Sequence, residues 1–126
     1  MGSGIAQVFA QHGYSTILYD VNREMLHKAQ SNISRSLQHL VAHEKITAEE
    51  KAATLQRIRF TNDINNCRAE VIVEAVIEKA DVKSALFKKL VSLNSNTTIF
   101  ATNTSSLPVS VIGNEISAPA RFLGMH

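Results

Sequence analysis

Short apolar runs rich in β-branched residues take turns with longer stretches whose apolar positions recur every three or four residues, and this alternation leaves the chain few folds to adopt. Ile5, Val8 and Phe9 fall at helical spacing within residues 2–11, and Gly13 supplies the left-handed residue that ends such a helix. Residues 16–19, Thr-Ile-Leu-Tyr, read as a buried parallel strand closed by Asp20. Over residues 23–43, Met25, Leu26, Ala29, Ile33, Leu37, Leu40 and Val41 mark one face of a long amphipathic helix. Thr47 and Glu50 then form a capping box, each side chain taking the other's backbone amide, and open a second helix over residues 48–57. These two helices make a hairpin longer than a strand-to-strand crossover needs, the kind of insertion that often serves binding.

The alternation continues to the last residue. Residues 58–61 and 71–76 read as strands, with a short helical turn near 63–67 between them. Val82, Leu86, Phe87, Leu90 and Val91 mark another helix, residues 98–101 a strand, and Asn103-Thr104-Ser105-Ser106 the loop at its carboxyl end. Pro108 stands near the start of a last short helix, and residues 121–126 read as a final strand. The pattern predicts a doubly wound, Rossmann-type α/β fold over a parallel sheet, with the helical hairpin inserted, in one domain over residues 1–126.

Several function classes are excluded at this level. Apolar residues at 44% and charged residues at 19% describe a globular chain rather than a disordered one. The formal net charge of +2 is dispersed, so no basic block marks a nucleic-acid partner. The apolar runs are too short to cross a bilayer, and the N-terminal stretch has no signal-peptide pattern. A single cysteine, Cys67, rules out an internal disulfide and suits a reducing interior, cytoplasm or the mitochondrial matrix. His12, His27, His39 and His43 read as solvent-facing helix residues whose spacing suggests no metal site.

Gly2-Ser3-Gly4 is the first candidate for chemistry. Read as the start of a G-x-G-x-x-G phosphate loop it fails, because Gln7 stands where the third glycine belongs. Read with Gly2 as the third glycine, it puts the first two glycines and their strand before residue 1. Asp20 supports that register, since an acid at the end of the second strand can bond the ribose 2′-hydroxyl of NAD; the plainer alternative is a turn or cap residue before Asn22.

Five segments in order then resemble one family: Met1-Gly2-Ser3-Gly4-Ile5-Ala6-Gln7, Tyr19-Asp20, Val73-Glu74-Ala75-Val76-Ile77-Glu78, Thr102-Asn103-Thr104-Ser105-Ser106-Leu107 and Gly124-Met125-His126. They resemble the NAD-binding domain of the L-3-hydroxyacyl-CoA dehydrogenases, including the 3-hydroxybutyryl-CoA enzymes, along essentially the whole chain. The resemblance implies reversible hydride transfer between C3 of a 3-hydroxyacyl-CoA, an acyl-CoA thioester, and NAD. It assigns Gly2, Asp20, Glu78, Lys83 and Asn103 to the cofactor, Ser36 to the CoA moiety, Ser105 to the C3 oxygen of the substrate, and His126 to catalytic acid/base work. His43 departs from it, standing where some relatives carry a CoA-contacting lysine.

Each assignment has a plainer counterpart. Glu78 and Lys83 also fit a solvated acid and a helix-face lysine, the Asn-Thr-Ser-Ser run fits an ordinary capping turn, and His126 fits the end of a strand. The resemblance further implies a first strand before residue 1, and a helical domain after residue 126 that supplies a glutamate and an asparagine to the catalytic histidine and the dimer contacts. Residues 1–126 alone would then be inactive, and the sheet would lack its central strand. A non-catalytic nucleotide-binding module and a related sugar-acid dehydrogenase stay open as alternatives.

Overall fold

The computed structural model describes residues 1–126, which form two compact units, 1–66 and 67–126. The first runs α1 (Gly2–Gln11), β1 (Thr16–Tyr19), α2 (Arg23–Ala42), α3 (Ala48–Gln56) and β2 (Ile58–Thr61), with a 3-10 turn at Ile64–Asn66. The second runs β3 (Val71–Glu74), α4 (Ala80–Leu93), β4 (Ile99–Thr102), α5 (Val109–Gly113), a 3-10 turn at Pro119–Arg121 and β5 (Phe122–Gly124).

In the first unit, β1 pairs in parallel with β2, Thr16 opposite Ile58 and Tyr19 opposite Thr61. Gly13 has φ 93°, the left-handed conformation its place after α1 requires. The capping box forms as expected: the Thr47 amide donates to Glu50 Oε2 at 2.7 Å, and the Glu50 amide to Thr47 Oγ1 at 3.0 Å. The inner faces of α1, α2 and β2 meet in a core of Ala10, Ile33, Leu37 and Ile58, flanked by Leu18, Leu40, Ile46, Leu55 and Phe60. The hairpin helices are tied on their outer side by Lys51 Nζ, which donates to Gln38 Oε1 at 2.8 Å.

In the second unit, β4 lies between β3 and β5, all three parallel. Phe87 of α4 is fully buried and meets Phe100 and Phe122 edge-on, with ring centroids 6.2 and 4.9 Å away. Helix α5 packs directly on β5. A Cβ on Gly124 would stand 2.9 Å from Val109 Cγ2, so something must shift to admit one there, and one on Gly113 would stand 3.0 Å from Phe122 Cδ1, a tight approach that asks the ring to give slightly.

Three strand boundaries differ from the sequence reading. The expected strand over 71–76 stops at Glu74, because the Glu74 carboxylate accepts the Val76 amide at 2.6 Å and turns the backbone out of the ladder. The expected strand over 98–101 is shifted by one, since the Thr98 hydroxyl bonds the Ala69 carbonyl before the ladder begins at Ile99. The last strand covers Phe122–Gly124 rather than 121–126, with Arg121 closing the preceding 3-10 turn.

Strand β1 pairs with β2 alone in the first unit, and β3 with β4 alone in the second. One edge of β1 and one edge of β3 consequently carry no strand partner, and Val71 on β3 is 47% exposed. Unpaired edges recruit other chains. Residues 1–126 expressed by themselves are therefore expected to aggregate or order only in part, and a sharp two-state thermal transition of a monomer, followed by circular dichroism, would contradict this.

Candidate cofactor and catalytic site

The three strands of the second unit end in a row. Glu74 is the register partner of Thr102, and Thr102 of Gly124. The connections after β3 and β4 and the residues after β5 therefore all leave from one end of the sheet, the end at which open α/β sheets bind ligands.

At the head of the row is a buried ion pair. Glu74 and Lys83 side chains are both 0% exposed, with Lys83 Nζ 2.7 Å from Glu74 Oε1. A charge this deep is tolerated only when its lone pairs and protons find partners. Glu74 Oε1 also accepts the Val76 amide at 2.6 Å, and Oε2 accepts the Thr102 hydroxyl at 2.6 Å. Lys83 Nζ reaches the Val76 carbonyl at 3.4 Å and the Glu78 carboxylate at 3.9 Å, and that second carboxylate is 37% exposed. Lys83 is thus buried against carboxylates rather than displayed on a helix face, and it touches Glu78, with which the sequence had paired it.

The Thr104 hydroxyl donates to Glu78 Oε1 and its oxygen accepts the Leu107 amide at 3.0 Å, closing a turn whose tip holds Ser105 and Ser106 exposed. The capping turn that the sequence offered as the plainer reading is therefore present, made by Thr104 and leaving Ser105 outward. Asn103, half-buried, is anchored by its amide on the Glu74 carbonyl at 2.8 Å. The Met125 amide makes the last bond of β5, to the Thr102 carbonyl at 2.9 Å, and exposed His126 comes directly after it.

In the first unit, Gly2 opens α1 with no side chain capping it; the Gly4 amide already donates to the Met1 carbonyl at 3.1 Å, and the Gly2 and Ser3 amides at the helix start are the ones that can meet an anion. Asp20 comes after β1, its Oδ1 accepting the Asn22 amide at 2.9 Å, while Asn22 caps α2 through Glu24. The turn role is real and still leaves Oδ2 as an acceptor. Ser36 faces α1, its hydroxyl accepting from Gln7 Nε2 at 3.1 Å. A groove of about 940 Å³ lies on the other side of α2, between Ser34, Gln38, Lys51, Leu55 and Phe60. Ser34 and Gln38 each stand about 200° around the helix from Ser36, and none of the assigned residues lines this groove.

Each unit carries groups that suit part of a dinucleotide: the first an uncapped helix start and a strand-end acid with an oxygen to spare, the second a sheet end with a carboxylate, an amide side chain and a hydroxyl. No three His, Cys, Asp or Glu side chains are placed to hold a metal ion, and no helix is long and apolar enough to cross a membrane. Glu74, Thr102 and Thr104 were not singled out from the sequence, although all three lie within the matched segments. The buried Ser84 hydroxyl, beside Lys83, is the one enclosed side-chain polar atom with no partner, and nothing in the sequence marked it.

A family model described as "3-hydroxyacyl-CoA dehydrogenase, NAD binding domain" matches residues 1–126. The chain belongs to this family. NAD is accordingly its cofactor. The chain is 39% identical to the 3-hydroxyadipyl-CoA dehydrogenase of Escherichia coli K12, covering 100% of this chain and 27% of that protein. It is 37% identical to the mitochondrial hydroxyacyl-coenzyme A dehydrogenase of Sus scrofa, covering 100% and 42%. The crystal structure of a 3-hydroxybutyryl-CoA dehydrogenase from Escherichia coli K12 superposes with a TM-score of 0.97 at 39% identity, again over 100% of this chain and 27% of that one. The fold is thus Rossmann-type α/β, and the chain spans less than half the length of these relatives.

Proposed function

We propose that the protein carrying this chain oxidises an L-3-hydroxyacyl-CoA to the 3-oxoacyl-CoA, reversibly, with Ser105 and His126 at the reacting oxygen. Bound NAD supplies the hydride acceptor for C3. The observation that carries the reading is the row Glu74, Thr102, Gly124, beyond which Asn103, Ser105 and His126 all stand at one end of one sheet. The Ser105 hydroxyl donates to the C3 oxygen and orients it, and the His126 imidazole takes its proton as the carbonyl forms. In the reverse direction the same imidazole returns the proton. Gly2 admits the pyrophosphate, Asp20 accepts a ribose hydroxyl, Glu78, Lys83 and Asn103 serve the nicotinamide half, and Ser36 contacts CoA once Gln7 releases it. The protein works as a homodimer in cytoplasm or mitochondrial matrix, without nucleic-acid or membrane partners. Turnover of 3-hydroxyacyl-CoA against the free hydroxy acid separates this reading from a sugar-acid dehydrogenase, and absence of turnover with retained NAD binding would leave a nucleotide-binding module.

The same reading fixes cofactor choice. Asp20 repels a 2′-phosphate, and Arg23 is the one cation close by in sequence that could accept it. Fluorescence titration of the full natural chain should show NADH bound more tightly than NADPH, and the opposite order would remove Asp20 from the ribose.

A further inference from the structure

We propose that Glu74 is a positioning residue that spares the charge of Glu78 and so favours the oxidised, cationic form of the dinucleotide; the inference rests on the NAD-binding role given above. Lys83 has two carboxylates within reach, Glu74 at 2.7 Å and Glu78 at 3.9 Å. Glu74 holds the ammonium at 0% exposure, in a site completed by the Val76 carbonyl. Glu78, at 37% exposure, is left facing outward with only the Thr104 hydroxyl as a close donor. The three side chains together carry one net negative charge, and Glu74 decides that it sits on Glu78. These are the titratable groups that face Lys83, one from the end of β3 and one from the β3-to-α4 connection.

The effect on binding arises from the chemistry of nicotinamide, whose ring is cationic when oxidised and neutral when reduced. An outward carboxylate at the ligand-binding end of the sheet strengthens binding of the first and does little for the second. Without the Glu74 charge, Lys83 has Glu78 as its remaining counter-ion and moves onto it. The outward charge is then neutralised. For one unit charge near the ring at an effective dielectric of about 20–40, the change amounts to about three- to tenfold in affinity.

The test is a pair of dissociation constants, for NAD+ and NADH, measured by calorimetry on the full natural chain. Glu74→Gln should raise the ratio Kd(NAD+)/Kd(NADH) by about three- to tenfold. Thr102→Val removes a hydrogen bond to the same carboxylate without changing charge, and should alter both constants alike. A purely structural role for Glu74 would weaken both forms equally, and an unchanged ratio in folded Glu74→Gln overturns the proposal. Should that variant not fold, Glu78→Gln removes the outward charge directly and must raise the ratio in the same direction, with an unchanged ratio again decisive against it. If the unaltered protein binds neither dinucleotide, the functional reading itself has failed.

Discussion

Replacement of His126 by glutamine in the full natural chain is expected to lower turnover by about two to four orders of magnitude, while NAD affinity stays as it was. Glutamine keeps the polarity and approximate size of imidazole but cannot accept a proton at neutral pH. Histidine is the side chain whose ordinary titration range suits a base that must both take and return a proton there. Its backbone is set by the last ladder bond of β5, from Met125 to Thr102, one residue after the strand proper. Steady-state kinetics with a 3-hydroxyacyl-CoA, together with NAD titration of the same preparation, checks the expectation. Near-normal turnover would refute the acid/base role, and loss of NAD binding would make the residue structural.

The second large effect concerns stability. Lys83→Met should destabilise the fold by about 3–5 kcal/mol, because it strands the Glu74 carboxylate at 0% exposure without its counter-charge. The Val76 amide and Thr102 hydroxyl still donate to it, but two neutral donors do not replace an ammonium. Glu74→Gln combined with Lys83→Met removes both charges, and most of the lost stability should return, as buried pairs exchanged for neutral side chains commonly show. Equilibrium urea unfolding of the two single variants and the double variant gives the coupling directly. A Lys83→Met protein as stable as the original would mean that the pair is not closed in solution.

The helices were the readable part of this fold, and the reason is physical. Ile33 and Leu37 are one turn apart and both fall in the core, so a one-dimensional periodicity carries the three-dimensional answer. Thr47 and Glu50 satisfy each other across a single helical turn, which is equally local. Strand ends were less legible because side chains set them. Residues 75 and 76 have strand-like apolar character, yet the Glu74 carboxylate folds back onto the Val76 amide and ends the pairing. Within the candidate site, the residues by themselves suggested a surface acid at Glu78 and a solvated helix-face lysine at Lys83. The burial of Lys83 depends on Glu74, nine residues away, and on Thr102, which adjoins it only through the register of β3 and β4. A fragment of sequence cannot display such a contact. Ser105 and His126 were found through resemblance and were expected to follow neighbouring strands, and the pairing of Thr102 with Gly124 gives the register behind that expectation.

Helix α5 reaches the backbone of β5 through Val109, whose Cγ2 would lie 2.9 Å from any Cβ at position 124. These two positions are therefore mutually dependent in protein engineering. A library that enlarges residue 124 while holding Val109 fixed asks the helix or the strand to yield, and the strand is the shorter element and leads straight to Met125 and His126. Smaller residues at 109 reopen the room that an alanine at 124 would occupy. Attempts to remodel the neighbourhood of His126 would do best to randomise 109 and 124 as one site, although residue 109 lies in a helix that carries none of the assigned cofactor or catalytic residues.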